Sequence, residues 1–331
     1  MEAVTIRRPS WVLTWSGRDV SRDIQPMVLN ISYTDALHGE AEDLAITVEN
    51  ADGRWFRDWQ PAKGDALALR FGYEGGALQP TNGFQIDELE YNFAPDTLAI
   101  KAVAAGVKPA LRTSRTTGYD GSTLRAIAAE VAARHNLTLV GAIDELPLGR
   151  VTQNGERDLA FLKRLAEQHG YVCTVRGEDL IFHKVADLKS RPAGVVIRRS
   201  MVMPGGSIKI QNAGTYGKAK LTYHDPDTKQ TIEAEADDDE VENGDTLRLS
   251  NERVENHEQA ETRVKAALEK ANRGQREGRL ILPGEPTLAA GVMIDLKGFG
   301  SFDGGYLVEK ATHRIDRGGG YTTEINFKDG V

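Results

Sequence analysis

At 331 residues the chain exceeds one ordinary domain but is short for three large ones, and 40% apolar content can fill real hydrophobic cores. A formal charge of -8 at pH 7 argues against sequence-independent nucleic-acid binding, which relies on basic patches. The only cysteine, Cys173, leaves no intrachain disulfide, residues 1–9 lack the apolar centre of a signal peptide, and no run approaches the roughly 18–20 apolar residues of a membrane helix.

Residues 1–115 read as β-rich. Segments 12–15 and 27–33 are strand-like, and 44–49 and 66–71 alternate apolar and polar residues with period two. Gly72, Gly75 and Gly76 punctuate the next turn. Segments 84–91 and 97–103 then form a predicted hairpin across Pro95 and Asp96. Short strands with regular turn signals suggest a barrel or sandwich.

Residues 116–190 change character. Leu124, Ile127, Ala128 and Val131 recur at helical spacing, predicting an amphipathic helix that ends near Asn136. A second helix is expected over 154–169. Asn154 suits its N-cap, Glu156 and Asp158 place acid in the first turn, and Gly170 suits a left-handed stop. Leu159, Leu162, Leu165 and Ala166 form its stripe, with Phe161 beside it. Segments 171–175 and 179–183 follow as two short strands, making this region an α/β insert.

From residue 191 onwards the β signal returns. Segments 206–210, 217–223 and 230–234 are strand candidates, with a turn at 225–229. The acidic stretch 233–245 reads as including an exposed loop. A third helix spans 256–272, with Ala260, Val264, Ala267, Leu268 and Ala271 on one face. Segments 278–282, 292–296, 305–311 and 321–327 are strands. The domains are therefore expected at 1–115, 116–190 and 191–331, with a faint similarity between the two β-rich ends.

Motifs for chemistry are scarce. None of the seven histidines belongs to an HExxH pair, since His257-Glu258-Gln259-Ala260-Glu261 lacks the second histidine. His135 and His169 end predicted helices, where an imidazole meets the helix terminus more often than a metal. Asp237, Asp238, Asp239 and Glu240 lack the spacing and central glycine of a calcium loop. The glycine pairs match neither a P-loop nor a dinucleotide fingerprint, and Cys173 sits inside a strand as a small hydrophobe. The two middle helices are separated by too long a connection for a helix-turn-helix. No catalytic, cofactor or metal residue is therefore assigned. One cluster stands out: Trp55, Phe56 and Trp59 beside Arg54, Arg57 and Asp58. It reads either as a structural aromatic knot or as a partner-contact patch centred on Trp55 and Trp59.

Three blocks, in order, carry a family resemblance. The first runs over 119–128 to His135-Asn136-Leu137. The second is Asp158-Leu159-Ala160-Phe161-Leu162 through Leu165-Ala166 to Gly170-Tyr171. The third comprises 278–282, Gly284, Pro286-Thr287-Leu288, Gly291, Gly298-Phe299-Gly300, 304–308, His313 and 320–324. Together they resemble the late control protein D family, the baseplate hub of contractile phage tails and related injection machines. The N-terminal third matches in strand pattern only.

The resemblance implies an α+β, mainly β fold: two tail-tube-like β-barrels with an inserted α/β domain, and the third helix lying across the C-terminal barrel. It implies a structural protein without cofactors. Three copies would form a ring of six barrel-like modules that joins the tail tube to a central spike and lines a channel. Its partners would be the spike, the tube, baseplate wedge proteins and a tape-measure protein, with neither membrane nor sequence-specific nucleic acid. The related type VI secretion spike proteins fuse this hub to a neck and β-helix. This chain ends at Val331 without spike repeats, so its spike is expected on a separate polypeptide. The competing reading is a tail-associated cell-wall-degrading enzyme. A transcriptional regulator conflicts with the charge and the helix spacing.

Overall fold

The computed structural model describes residues 7–38, 41–106, 113–210, 216–224, 229–238, 241, 244–250, 254, 256–272 and 275–329. The chain is 53% strand and 19% helix, an α+β fold dominated by β structure. In the N-terminal part the strands are β1 (Pro9–Trp15), β2 (Arg18–Asp19), β3 (Val28–Ala36), β4 (Asp43–Glu49), β5 (Ala66–Tyr73), β6 (Gln79–Asn92) and β7 (Thr97–Ala104). A single turn of helix, α1 (Ser21–Ile24), follows β2. Period-two alternation explains β4: Leu44, Ile46 and Val48 are buried, and the residues between them are more exposed. They join Leu13, Phe71, Phe84, Leu98 and Ile100 in one apolar cluster.

The insert begins with β8 (Ser114–Thr123) and α2 (Leu124–His135). Then come β9 (Thr138–Val140), β10 (Pro147–Arg157), α3 (Asp158–Gln168), β11 (Tyr171–Arg176), β12 (Asp179–Lys184) and the short α4 (Val185–Lys189). Thr123 caps α2, its hydroxyl accepting the Ala126 N–H at 3.1 Å, and Asn136 ends that helix in the left-handed conformation at φ 55. The second helix starts later than its local signals suggest. Asn154 and Gly155 belong to β10, at a bulge between Gln153 and Glu156, because this segment pairs with β8. The N-cap is Arg157, and Phe161 is a fully buried stripe residue whereas Leu159 is only partly buried.

The remaining strands are β13 (Val195–Arg198), β14 (Ser207–Ile210), β15 (Tyr216–His224), β16 (Thr231–Asp237), β17 (Asp245–Leu249), β18 (Arg276–Pro283), β19 (Met293–Lys297), β20 (Gly304–Asp316) and β21 (Gly320–Asp329), with α5 (His257–Asn272) before β18. Strands β15, β16 and β17 make a separate small sheet, and α5 packs on it through Ala260, Val264 and Leu268 and against α3. The third helix therefore covers this small sheet and not the main C-terminal sheet as expected. Glu233 and Glu235 lie in β16, so the acidic stretch is part strand. Of the expected turn at 225–229, residues 225–228 lie outside the described residues, as do Asp239 and Glu240.

Two halves of the large sheet share one strand order. The N-terminal half runs β3-β4-β7-β6-β5-β1, and the C-terminal half runs β14-β18-β21-β20-β19-β13. Each long hairpin carries a bulge at the matching place, between Ile86 and Glu88 in β6 and between Val308 and Lys310 in β20. One pairing differs: β1 meets β5 antiparallel, while β13 meets β19 parallel. The halves are joined directly, because β3 pairs antiparallel with β20 from Asn30↔Asp316 to Ala36↔Lys310. The insert therefore flanks a sheet that runs on from one half into the other.

Candidate interaction surface

The aromatic cluster at 55–59 follows from a tight turn. Gly53 takes φ 69 and opens a 3-10 turn over Arg54–Phe56, and the Asn50 side chain accepts the Trp55 N–H at 3.1 Å. That turn aims Trp55 inward. Its indole is 2% exposed, donates Nε1–H to the Glu49 carbonyl at 3.2 Å and stacks near Trp15 at 6.3 Å. Trp59 stands edge-on to Trp55 at 5.6 Å and is 37% exposed, with the Arg54 guanidinium 4.8 Å above its ring. The pair is thus split: Trp55 is core, and Trp59 reaches the surface.

The sequence singled out this region but missed its other half. Phe56 stacks on Tyr91 at 4.8 Å and lies 6.0 Å from Phe93, which is 73% exposed at the tip of the β6–β7 hairpin. Local signals hold no hint of this, since residues 56 and 93 meet only when the hairpin folds back. On the other side of Trp55, a cavity of about 390 Å³ is lined by Trp15, Ile24 and Trp59, with Asp23, Asp58 and Asp65 among its polar groups.

The buried polar groups are arranged as internal ties. Asp158 opens α3 and accepts from Gln153 at 2.7 Å and Arg134 at 3.0 Å, with His135 Nε2 at 2.6 Å. Burial opposes its charge, but these hydrogen bonds win and hold its pKa below the ordinary carboxylate value. The tie fastens the end of α2 to the start of α3. His313 Nε2–H donates to the Leu288 carbonyl at 2.9 Å, while Nδ1 accepts from the Tyr321 hydroxyl at 2.8 Å. Burial lowers the His313 pKa to about 4, so the ring is neutral. His169 is likewise buried, with neither ring nitrogen hydrogen-bonded, and burial followed by the nearby Arg263 lowers its pKa to about 4.

A third tie joins three parts of the chain. Arg176, at the end of β11, donates to Asp35 of β3 at 2.9 Å and to the Ala290 carbonyl at 3.0 Å. Asp35 also accepts the Ala290 N–H at 2.9 Å. Glu42 lies beside them, accepting from Tyr33 at 2.8 Å and Asn82 at 3.0 Å. Burial raises both carboxylate pKa values despite the guanidinium. Cys173 is wholly buried and its thiol is pushed up to about 12 by burial, so it is no nucleophile at neutral pH. Among the described residues no three His, Cys, Asp or Glu side chains are placed to hold a metal. What these groups do chemically is fix elements to one another; the aromatic patch is a surface feature available for recognition.

A profile of the phage tail baseplate hub (GPD) family matches residues 103–319, which covers the insert, the junction with Arg176 and most of the C-terminal strands. The chain belongs to the phage tail baseplate hub family. It is 27% identical over 235 residues to the probable baseplate hub protein of Escherichia phage 186, and 30% identical over 178 residues to that of Escherichia phage P2. These matches take in 69% and 53% of this chain and span 60% and 45% of those two hub proteins. In fold the chain is similar to the 43 kDa tail protein of prophage MuSo2 from Shewanella oneidensis, with a TM-score of 0.72, 16% identity and coverage of 97% of this chain and 100% of that one. A tail protein from Neisseria meningitidis MC58 gives a TM-score of 0.70 at 12% identity, over 97% of each chain. The Escherichia coli c3393 protein, a type VI secretion component, gives 0.54 at 13% identity over 91% of this chain and 73% of that one. Membership makes this hub protein a component of the tail baseplate, and the fold is shared with a wider set of injection-machine proteins.

Proposed function

We propose that this baseplate hub protein is a symmetry adaptor, three copies forming a ring that joins the tail tube to a central spike and lines the channel between them. One observation carries the reading: a single chain repeats one sheet order twice, β3-β4-β7-β6-β5-β1 and β14-β18-β21-β20-β19-β13. Three such chains would present six related modules, a six-fold face for a tube, while remaining three-fold for a spike. In this reading residues 1–115 and 191–331 supply the tube-like modules and 116–190 the insert. The role is binding geometry, not reaction chemistry. Wedge proteins would meet the outside of the ring, and a tape-measure protein would occupy its channel. Trp59, backed by the buried Trp55, is proposed as a contact with one of these partners.

Mass in solution with negative-stain imaging tests the reading. A three-fold ring with a central hole is expected, in the isolated chain or after addition of the spike protein. A compact monomer that degrades peptidoglycan would replace it with the enzymatic alternative.

A further inference from the structure

Among the described residues the two halves of the sheet are joined once, by β3 and β20, and the strand edges left unpaired at their other ends match. Aligning the hairpins by their bulges sets Ile86 against Val308, Leu89 against Ala311 and Tyr91 against His313. In the C-terminal half, β20 receives a neighbour on its free edge beyond the bulge. That neighbour is β3, with Tyr33↔His313, Thr34↔Thr312 and Asp35↔Ala311. In the N-terminal half, β5 and the adjoining Gly64 and Asp65 occupy the edge of β6 only as far as Ile86. Among the described residues no strand pairs with that edge from Glu88 to Asn92.

The counterpart of β3 is β14. Each pairs antiparallel with the first strand of a matching ladder, β3 with β4 and β14 with β18, and β14 stands at the end of the sheet. Carrying the equivalence across the ladders, Leu44 corresponds to Gly278, so Tyr33 corresponds to Ile208.

We propose that strand β14 of one copy adds antiparallel to the open edge of β6 in a second copy, repeating between chains the β3–β20 joint found within each chain. The repeated register places Ile208 opposite Tyr91, Lys209 opposite Glu90 and Ile210 opposite Leu89. This inference rests on the trimeric reading above and names the surfaces that would close the ring.

Side-chain chemistry agrees with that register on both faces. Ile208 packs on the C-terminal core, and Ile210, on the same side, is left 46% exposed. Leu89 and Tyr91 are partly buried against the N-terminal core, so their pairing with Ile210 and Ile208 would run one apolar layer through the joint. On the opposite face, Lys209 meets Glu90, a cross-strand pair of opposite charge. A slip by one residue would set Lys209 against Leu89 or Tyr91 and lose both matches. The contact is heterologous, since each copy offers one donor strand and one acceptor edge; such contacts close into rings when the rotation permits. The acceptor lies beside Phe56 and Phe93, so the exposed aromatics would border the joint.

Directly paired strands bring Cα atoms within about 4.5–5.5 Å, inside the range a disulfide spans. The test is the full-length Lys209→Cys/Glu90→Cys double variant, oxidised and run without reductant, beside each single variant. Both sites are exposed, and retention of fold is read from an unchanged urea midpoint. Covalent dimers and a closed covalent trimer are expected in the double variant and in neither single one. A trimeric mass by ultracentrifugation with no 90–209 disulfide would overturn the joint and leave the trimeric reading standing. A chain that stays monomeric at every concentration, both alone and with the spike protein added, would overturn both. As a second measurement, Lys209→Glu should raise the concentration needed for assembly at least tenfold, and adding Glu90→Lys should restore it. Absence of that rescue counts against the register.

Discussion

Burial sets the charge state of His313. Its folded pKa of about 4 lies below the ordinary 6.5, so the folded state favours the neutral ring. That contribution is complete above pH 6.5 and is lost as pH falls from 6.5 towards 4. Between pH 7 and pH 5 it amounts to about 2 kcal/mol. The loss of stability over that interval should be smaller by this amount in His313→Gln, measured by urea unfolding at each pH; parallel pH profiles would contradict it. The tryptophans separate in the same way by environment. Trp55→Ala opens a cavity in the core and should cost about 3–5 kcal/mol. Trp59→Ala removes a half-exposed ring and one cation–π contact and should cost about 1 kcal/mol. Equal urea midpoints for the two variants would show that the indoles share one environment after all.

At the scale of elements, α2 is bounded by its own ends. Thr123 accepts the Ala126 N–H, and removing that acceptor in Thr123→Ala should cost about 1 kcal/mol. Asn136 already occupies φ 55, so Asn136→Gly should be neutral or slightly stabilising. Thermal unfolding of the two variants would check the contrast. Helix α3 shows the opposite balance. Its local sequence offers a cap at Asn154, but that residue sits in a bulge of β10, whose flanking residues Gln153 and Glu156 are both paired with β8. Only after Arg157 can the helix begin. Helix α5 carries an ordinary amphipathic stripe, which states that a face is covered without stating by what; the small sheet of β15–β17 supplies the cover.

The whole molecule is held at a junction where β3, β11 and the segment before β19 meet. Leu37, Val172, Leu188, Ala290, Met293 and Leu307 pack there, and Arg176 supplies the cation between Asp35 and Glu42. Arg176→Met would strand two buried carboxylates and should cost about 3–5 kcal/mol at neutral pH. The sign with pH follows from the direction of the shifts. Both carboxylates have raised folded pKa values, so their charged forms are penalised, and the penalty grows as pH rises above the ordinary carboxylate range. The variant should therefore recover stability on acidification and lose most at high pH. Limited proteolysis should cut it faster than the parent protein; an unchanged cleavage rate would show that apolar packing alone holds the junction.

The sequence by itself determined what depends on neighbours a few residues apart. Alternation marked β4 and β5, helical spacing and Asn136 marked α2, Gly170 marked the stop of α3 at φ 73, and three ordered blocks marked the family. Steric preference, capping and side-chain period are local, so they survive in a single sequence. Tertiary structure decided the rest: Trp55 turned inward while Trp59 stayed half-exposed, Asn154 joined a strand, Phe93 came to Phe56, α5 settled on the small sheet, and β3 paired with β20. Each of those outcomes is fixed by which distant edge or face becomes available once the chain has folded. The repeated strand order has the same origin: it lies in the pattern of backbone hydrogen bonds across the sheet, to which residues as unlike as Tyr91 and His313 contribute equally.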